Sequence, residues 1–559
     1  MQPTPEQTDA VDKFRKGGAL KINAFAGTGK TTTLRLLSEA SGGRGLYLAF
    51  NRSIAEDAKA KFPKNTTCST IHSIAFRATP QAYRRGDKMT AAMNANAVAS
   101  HLGYSDLVVD GVRLTPRSRG HLTLETLRKF MQGGLAAIER RHVPRLGKLE
   151  ILHDDTLAKL DAMTVEDAMG LWRRMCDPAD QIPLGHDGYL KMWALSRPRI
   201  AADFVLLDEA QDTNPVVLEV LRRQVAQIVY VGDRHQQIYE WRGAVNAMER
   251  IDTPNEAHLT TSFRFGDGIA SAASRVLERL GETRALSGNP AVTSYIGCDG
   301  ADAVVARTNA SVISTVLREL QAGRAPHVIG GVGELVRMLR GVEYLKRGEP
   351  SDVTEFFGFE NWNEVVEHTK TPEGRNLKTF VGLVESHGEA RLIQKLQETR
   401  QDEAGADVVV STAHKAKGRE WDTVELADDF LPAQPSDDED GPPRIDEAEI
   451  RLFYVALTRA KTAVEVAPAA VAQFGVTPGP RLSRAARPSK TAASAPQAAS
   501  AGFPTSRQRR RAADATSSPS RPVRVATPPR PAPPTRAAAG GGTWIWIALA
   551  IGVLWLVFR

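Results

Sequence analysis

Residues Ala19–Leu37, ALKINAFAGTGKTTTLRLL, decide the fold. An apolar run from Ala19 to Phe25 predicts a strand, the glycines of GTGKT a tight turn, and the spacing after Thr31 an amphipathic helix. A turn of this kind aims backbone N–H groups and a helix N-terminus at a polyphosphate. Lys30 would reach the β- and γ-phosphates and Thr31 would set its hydroxyl on Mg²⁺. The expected nucleotide-binding run is Ala24, Gly27, Thr28, Gly29, Lys30, Thr31 and Thr32, with Ala24 standing where the strict pattern has glycine.

A second stretch, FVLLDEAQDTN (204–214), supplies the other half of such a site. Four apolar residues end in clustered carboxylates, the form of a buried strand that delivers acids to its C-terminal edge. Asp208 would hold Mg²⁺, and Glu209 would orient and deprotonate the water that attacks a γ-phosphate. The expected ligands are ATP and Mg²⁺.

At 559 residues the chain accommodates several domains, and its 42% hydrophobic and 25% charged content is that of a soluble globular protein. Cys68, Cys176 and Cys298 are too dispersed for a metal site or a disulfide framework, which favours a reducing cytoplasm. The polar start MQPTPEQTDAVDKF is not a signal peptide. The net charge of +7 is concentrated late in the chain: residues 476–542 hold twelve Lys or Arg against one acid, Asp514. Subtracting those eleven charges and Arg559 leaves residues 1–475 at −5, so any nucleic-acid site there must be a local groove.

Four further stretches set the class of the motor. They are IVYVGDRHQQIYEWRGA (228–244), LTTSFR (259–264), VVVSTAHKAKGREWDTV (408–424) and EIRLFYVALTRAK (449–461). In order and spacing they resemble the motifs of superfamily 1 helicases of the UvrD/Rep/PcrA type. The wordings GDRHQQIYEWRGA and INAFAGTGKTTTL lean toward the F-box DNA helicase branch, although this sequence carries no F-box.

The resemblance implies a role for each matching residue. Gln7 would read adenine and Phe263 would stack on the base. Arg264 and Arg459 would meet the γ-phosphate from a second domain, where a planar cation is worth orders of magnitude in rate. Gln237 matches the γ-phosphate sensor and Glu420 the ribose contact. Trp241 would stack on a single-stranded base, a sequence-tolerant contact worth about 1–3 kcal/mol. Asn51, Thr70, His72, Arg307, Asn309 and His414 fall in motifs that line the DNA track. His235 reads as a surface residue.

The implied fold is α/β: two RecA-like parallel-sheet P-loop domains with mostly helical insertions. The first domain would hold residues 1–80 and 197–255, interrupted by a helical insertion at 81–196. The second would hold 256–312 and 405–475, interrupted by a reduced insertion at 313–404. Residues 476–542, rich in Pro, Ala, Ser and Arg, read as a disordered linker. The apolar run 543–558, TWIWIALAIGVLWLVF, reads as a transmembrane tail anchor, with the basic residues before it keeping the motor on the cytoplasmic face of a membrane. The leading functional expectation is an ATP-dependent 3′→5′ DNA helicase or translocase acting on single-stranded DNA or its junctions with duplex, in repair or recombination control. The alternatives are a non-unwinding ATPase that displaces proteins from DNA and a membrane-tethered regulatory NTPase.

Overall fold

The computed structural model describes residues 2–239, 246–351, 353–371, 373–432, 445–475 and 481–483. Two six-stranded parallel sheets organise the chain. In the first, the strands run in the order Thr66–Ser69, Gly45–Leu48, Phe204–Leu207, Gln227–Gly232, Leu20–Ala24 and Glu256–Leu259. Phe204–Leu207 is buried at every residue, as a central parallel strand covered by helices on both faces must be. Its neighbours pair in register, Leu207 with Leu48 on one side and Tyr230 on the other.

Because the strands are parallel, their C-terminal ends share one edge, and ligands of open α/β sheets bind outside that edge. The turn after Ala24, the acids after Leu207, Asp233 after Gly232 and the Thr260–Arg264 segment after Leu259 all emerge there. The first domain extends past the expected boundary at 255, because Glu256–Leu259 pairs with Lys21–Ala24.

The second sheet runs Pro326–Val328, Val408–Thr412, Ala303–Ala306, Trp421–Leu426, Ala460–Glu465 and Tyr295–Ile296. Residues 326–328 thus belong to this sheet and not to the insertion expected from 313. The second insertion comprises helices between Gly333 and Gln397. The first insertion is helical as expected, apart from a small hairpin, Leu107–Val109 with Val112–Leu114.

The two insertions share a core. Phe357 of the second is buried among Val109, Leu114, Leu122, Leu149 and Leu160 of the first. The Lys148 amide donates to the Phe357 carbonyl at 3.0 Å. Gly147, at φ +49, is the residue this approach requires, since a Cβ there would collide with the same carbonyl.

A short described segment, 481–483, falls within the expected linker. Leu482 is buried with Cys298 and Ala463, and its amide donates to Gly297 at 3.0 Å. Trp241, the rest of the linker and the apolar run 543–558 lie outside the described residues. Among the described residues no helix is long and apolar enough to cross a membrane.

Candidate nucleotide-hydrolysis site

The phosphate loop forms as its sequence requires. Gly29 takes a left-handed backbone (φ +79) and begins the helix Lys30–Glu39 with no side-chain cap, so the first-turn N–H groups stay aimed at an anion. Gly27 is also left-handed, at φ +74, and a Cβ there would stand 2.5 Å from Ser262 Oγ and 2.8 Å from Arg264 Cβ. The loop therefore packs directly against the segment that enters the second domain. Gly27→Ala is expected to weaken nucleotide affinity at least tenfold in a titration with a fluorescent ATP analogue, with little change in single-strand binding. Wild-type affinity would refute the close packing.

The donor set fits magnesium and a triphosphate. Thr31 Oγ1 lies 3.4 Å from Asp208 Oδ2, a hydroxyl beside a carboxylate at the end of the next strand but one. Tyr47, unremarked in the sequence, donates its hydroxyl to the same carboxylate oxygen at 2.7 Å. Glu209 follows at a left-handed backbone (φ +51), sparsely populated for a residue with a side chain. Lys30 Nζ is 3.5 Å from Glu209 Oε1, and Gln211 Nε2 donates to Glu209 Oε2 at 2.6 Å.

The two acids are pushed apart electrostatically. Burial and the neighbouring charge of Glu209 raise the Asp208 carboxyl above the usual carboxylate range. Burial opposes ionisation of Glu209 too, but the Lys30 and Lys417 ammonium groups override it and hold that carboxyl low. Glu209 is thereby held ionised, and a divalent cation bound beside Asp208 would supply the charge that favours its ionised form.

The base side is open. Gln7 caps its own helix, its Oε1 accepting from the Thr4 amide at 3.1 Å. Its amide nitrogen and the Phe263 ring, 43% exposed, lie within 3.5 Å of where a Cβ on Gly29 would stand. A cavity of about 230 Å³ opens beside them, lined by Gln7, Thr31, Thr32, Arg35, Lys61 and Phe62 among others.

Two cations stand where the domains meet, Arg264 after the last strand of the first sheet and Arg459 before a strand of the second. Arg264 donates to Glu420 Oε2 at 2.7 Å and to the Thr458 carbonyl at 2.8 Å. Arg459 is fully buried, anchored on the Val455 carbonyl at 2.8 Å; burial and the Arg264 charge lower its pKa to about 9, leaving it protonated at neutral pH. Its Nη2 lies 3.5 Å from Oε1 of Gln236. Gln236, which meets this arginine, stands next to the expected sensor Gln237, which is itself buried. Tyr454 joins three motifs, its hydroxyl accepting from the Ala26 amide at 3.2 Å and donating to Asp233 Oδ2 at 3.0 Å.

His235, read as a surface residue, is buried at 3% exposure. The reason is Glu282, whose carboxylate takes both His235 Nε2 (3.2 Å) and Arg234 Nη2 (2.8 Å).

The expected DNA contacts fall into two groups. Asn51 and Thr70 cap the helices that follow strands Gly45–Leu48 and Thr66–Ser69, accepting from Ile54 and Ser73 amides. His72 Nε2 sits 3.5 Å from Asp187 Oδ1, and His414 Nε2 lies 3.1 Å from the Ile238 carbonyl. Asn309 opens the helix Asn309–Gln321. Arg307 is differently placed: its guanidinium is held by both oxygens of Glu449 at 2.5 and 2.7 Å. Phe50, missed in the sequence, is 54% exposed beside Asn51 and offers an aromatic face at the strand end.

A phosphate loop, an acidic strand end and an arginine from a second sheet define a two-domain P-loop nucleotide motor. Residues 3–251 match the UvrD/REP helicase N-terminal domain and residues 351–467 the UvrD-like helicase C-terminal domain. The chain belongs to the UvrD-like DNA helicase family. It is 31% identical to F-box DNA helicase 1 of Gallus gallus over 491 residues, 80% of this chain and 47% of that protein. It is 30% identical to F-box DNA helicase protein 1 of Schizosaccharomyces pombe over 503 residues, 82% of this chain and 56% of that protein. A probable DNA helicase II homolog of Mycoplasma genitalium shares 31% identity over 86 residues, 14% of this chain and 12% of that protein. The chain spans about half the length of the two F-box helicases it matches.

Proposed function

We propose that the chain is an ATP-driven motor that moves 3′→5′ along single-stranded DNA, a helicase or translocase serving repair or recombination. The observation that carries this reading is that Lys30, Asp208 and Glu209 share one sheet edge with Gln236, which Arg459 of the second domain meets, and with Arg264, which bonds to Glu420 and Thr458 of that domain. The loop amides and Lys30 are placed to bind the phosphates, and Thr31 and Asp208 would hold Mg²⁺, which would supply positive charge to the phosphates. Glu209 takes the proton of the attacking water, and the arginines stabilise charge as the γ-phosphoryl group departs. Gln236, bonded to Asp233 at 2.7 Å and adjacent to Arg459, reports the nucleotide state to the strand-side segment that follows it.

The shared core at Phe357 favours a second reading, displacement of proteins from DNA without duplex opening, because it ties the two insertions together. Duplexes with a 3′ or a 5′ single-stranded tail, with and without a bound protein block, separate the two. Release of the labelled strand only from the 3′-tailed duplex supports the helicase, and release of the block alone supports displacement. Activity from the 5′ tail contradicts the polarity.

We further propose that 543–558 anchors the motor to a membrane, a reading supported by its uncharged, Trp-flanked composition. The full chain should then resist carbonate extraction from membranes, and release by carbonate would refute the anchor.

A further inference from the structure

We propose that Lys417 is a positioning residue for hydrolysis, reaching from the second motor domain to fix the Asp212–Gln211–Glu209 chain that orients the water-activating carboxylate. The inference rests on the reading of Glu209 as the group that activates water.

Lys417 follows the short helix Ala413–Ala416 in the second domain, 205 positions from its partner in the first. Its ammonium is 2.5 Å from Asp212 Oδ2, with the two side chains 10% and 2% exposed. It also donates to the Gln236 carbonyl and lies 5.3 Å from the centre of the Tyr239 ring. An ammonium has three protons, and these are three acceptors, so Lys417 is committed to the protein and not to substrate.

The contact continues inward. Gln211 is fully buried, and its Nε2 donates to Asp212 Oδ2 at 3.3 Å and to Glu209 Oε2 at 2.6 Å. Its Oε1 accepts from the Asp233 amide at 3.1 Å, which fixes which end of the side-chain amide faces the acids. Glu209 itself stands on a left-handed backbone at the end of its strand, so the direction of its carboxylate depends on these bonds. Two like charges, Asp212 and Glu209, are therefore held around one amide group, and Lys417 supplies the opposing charge.

The arrangement makes hydrolysis depend on domain closure through a route separate from the arginines. When the second domain is withdrawn, Asp212 loses its cation, and the amide that aims Glu209 loses a firmly placed neighbour. Buried ion pairs are weak sources of stability compared with well-packed apolar pairs, so a folding role alone gives little reason for this one.

Lys417→Met, Lys417→Arg and the double variant Asp212→Asn/Lys417→Met test the inference on the full chain, with Glu209→Gln alongside. A displacement of about 1 Å at a reacting group can cost about 100-fold, so Lys417→Met should lower kcat about 10- to 100-fold. KM for ATP and the dissociation constant of a fluorescent ATP analogue should change less than about threefold. Lys417→Arg should recover part of kcat, and the double variant should recover melting temperature but not kcat. Wild-type kcat in Lys417→Met would overturn the inference. So would a parallel loss of kcat, nucleotide affinity and melting temperature that the double variant reverses together. Should Glu209→Gln hydrolyse ATP at the wild-type rate, the reading of Glu209 fails and the Lys417 inference falls with it. An inactive Glu209→Gln beside a normal Lys417→Met overturns the inference alone.

Discussion

Glu209→Gln is expected to lower kcat for ATP hydrolysis by about 1,000-fold while nucleotide binding survives. The amide keeps the shape of the side chain and can still meet Gln211, but it cannot accept the water proton. General-base contributions run about 10²–10⁴-fold. The effect should be confined to kcat because Lys30, Thr31 and the loop amides, which bind the phosphates, are untouched. Single-turnover hydrolysis of bound ATP is the measurement of choice, since it isolates the chemical step from product release. A rate within tenfold of wild type would show that another group activates the water.

Arg459→Lys should cost about 100-fold or more in kcat, in keeping with the weight of an arginine at the developing charge of phosphoryl transfer. The residue is fully buried and its guanidinium spans Val455, Arg419, Thr458 and Gln236. A lysine retains the charge but lacks the planar fork that serves several acceptors at once. Binding of single-stranded DNA should be unchanged, and a melting curve should show that the variant is folded. A folded Arg459→Lys variant with wild-type turnover would remove Arg459 from the reaction.

The parts of this site that were legible in the sequence are those written contiguously. A strand, a glycine turn and Lys30–Thr31 are adjacent in the chain, and so are Phe204–Leu207 and the acids that follow, so local rules of strand, turn and helix suffice. The parts that were not legible depend on partners far apart in sequence. Nothing near Lys417 announces Asp212, and nothing near His235 announces Glu282, without which a polar turn reads as surface. Tyr454 sits in the apolar helix Glu447–Leu457, where its ring reads as core and its hydroxyl bonds to Ala26 and Asp233 are invisible. Gln236 and Gln237 are adjacent and chemically identical, so only geometry shows that Gln236 meets Arg459. The partner of Arg307 was hidden for a similar reason: nothing near it in sequence announces Glu449.

The domain borders slipped by a few residues because short strands carry weak signals. Glu256–Leu259 is a four-residue edge strand with partly exposed alternate positions, and Pro326–Val328 has three residues. Leu482 lies in a segment dominated by Pro, Ser and Arg, where one buried leucine does not alter the composition. The two strands are placed by pairing to a sheet and Leu482 by an isolated bridge to Cys298, properties of the assembled chain.

The most direct test of the motor is the steady-state ATPase rate of the full chain with and without single-stranded DNA, with Glu209→Gln as the control. An increase of about tenfold or more on adding single-stranded DNA, absent in Glu209→Gln, is the expected result. A rate indifferent to single-stranded DNA over a concentration range in which the DNA demonstrably binds would contradict it.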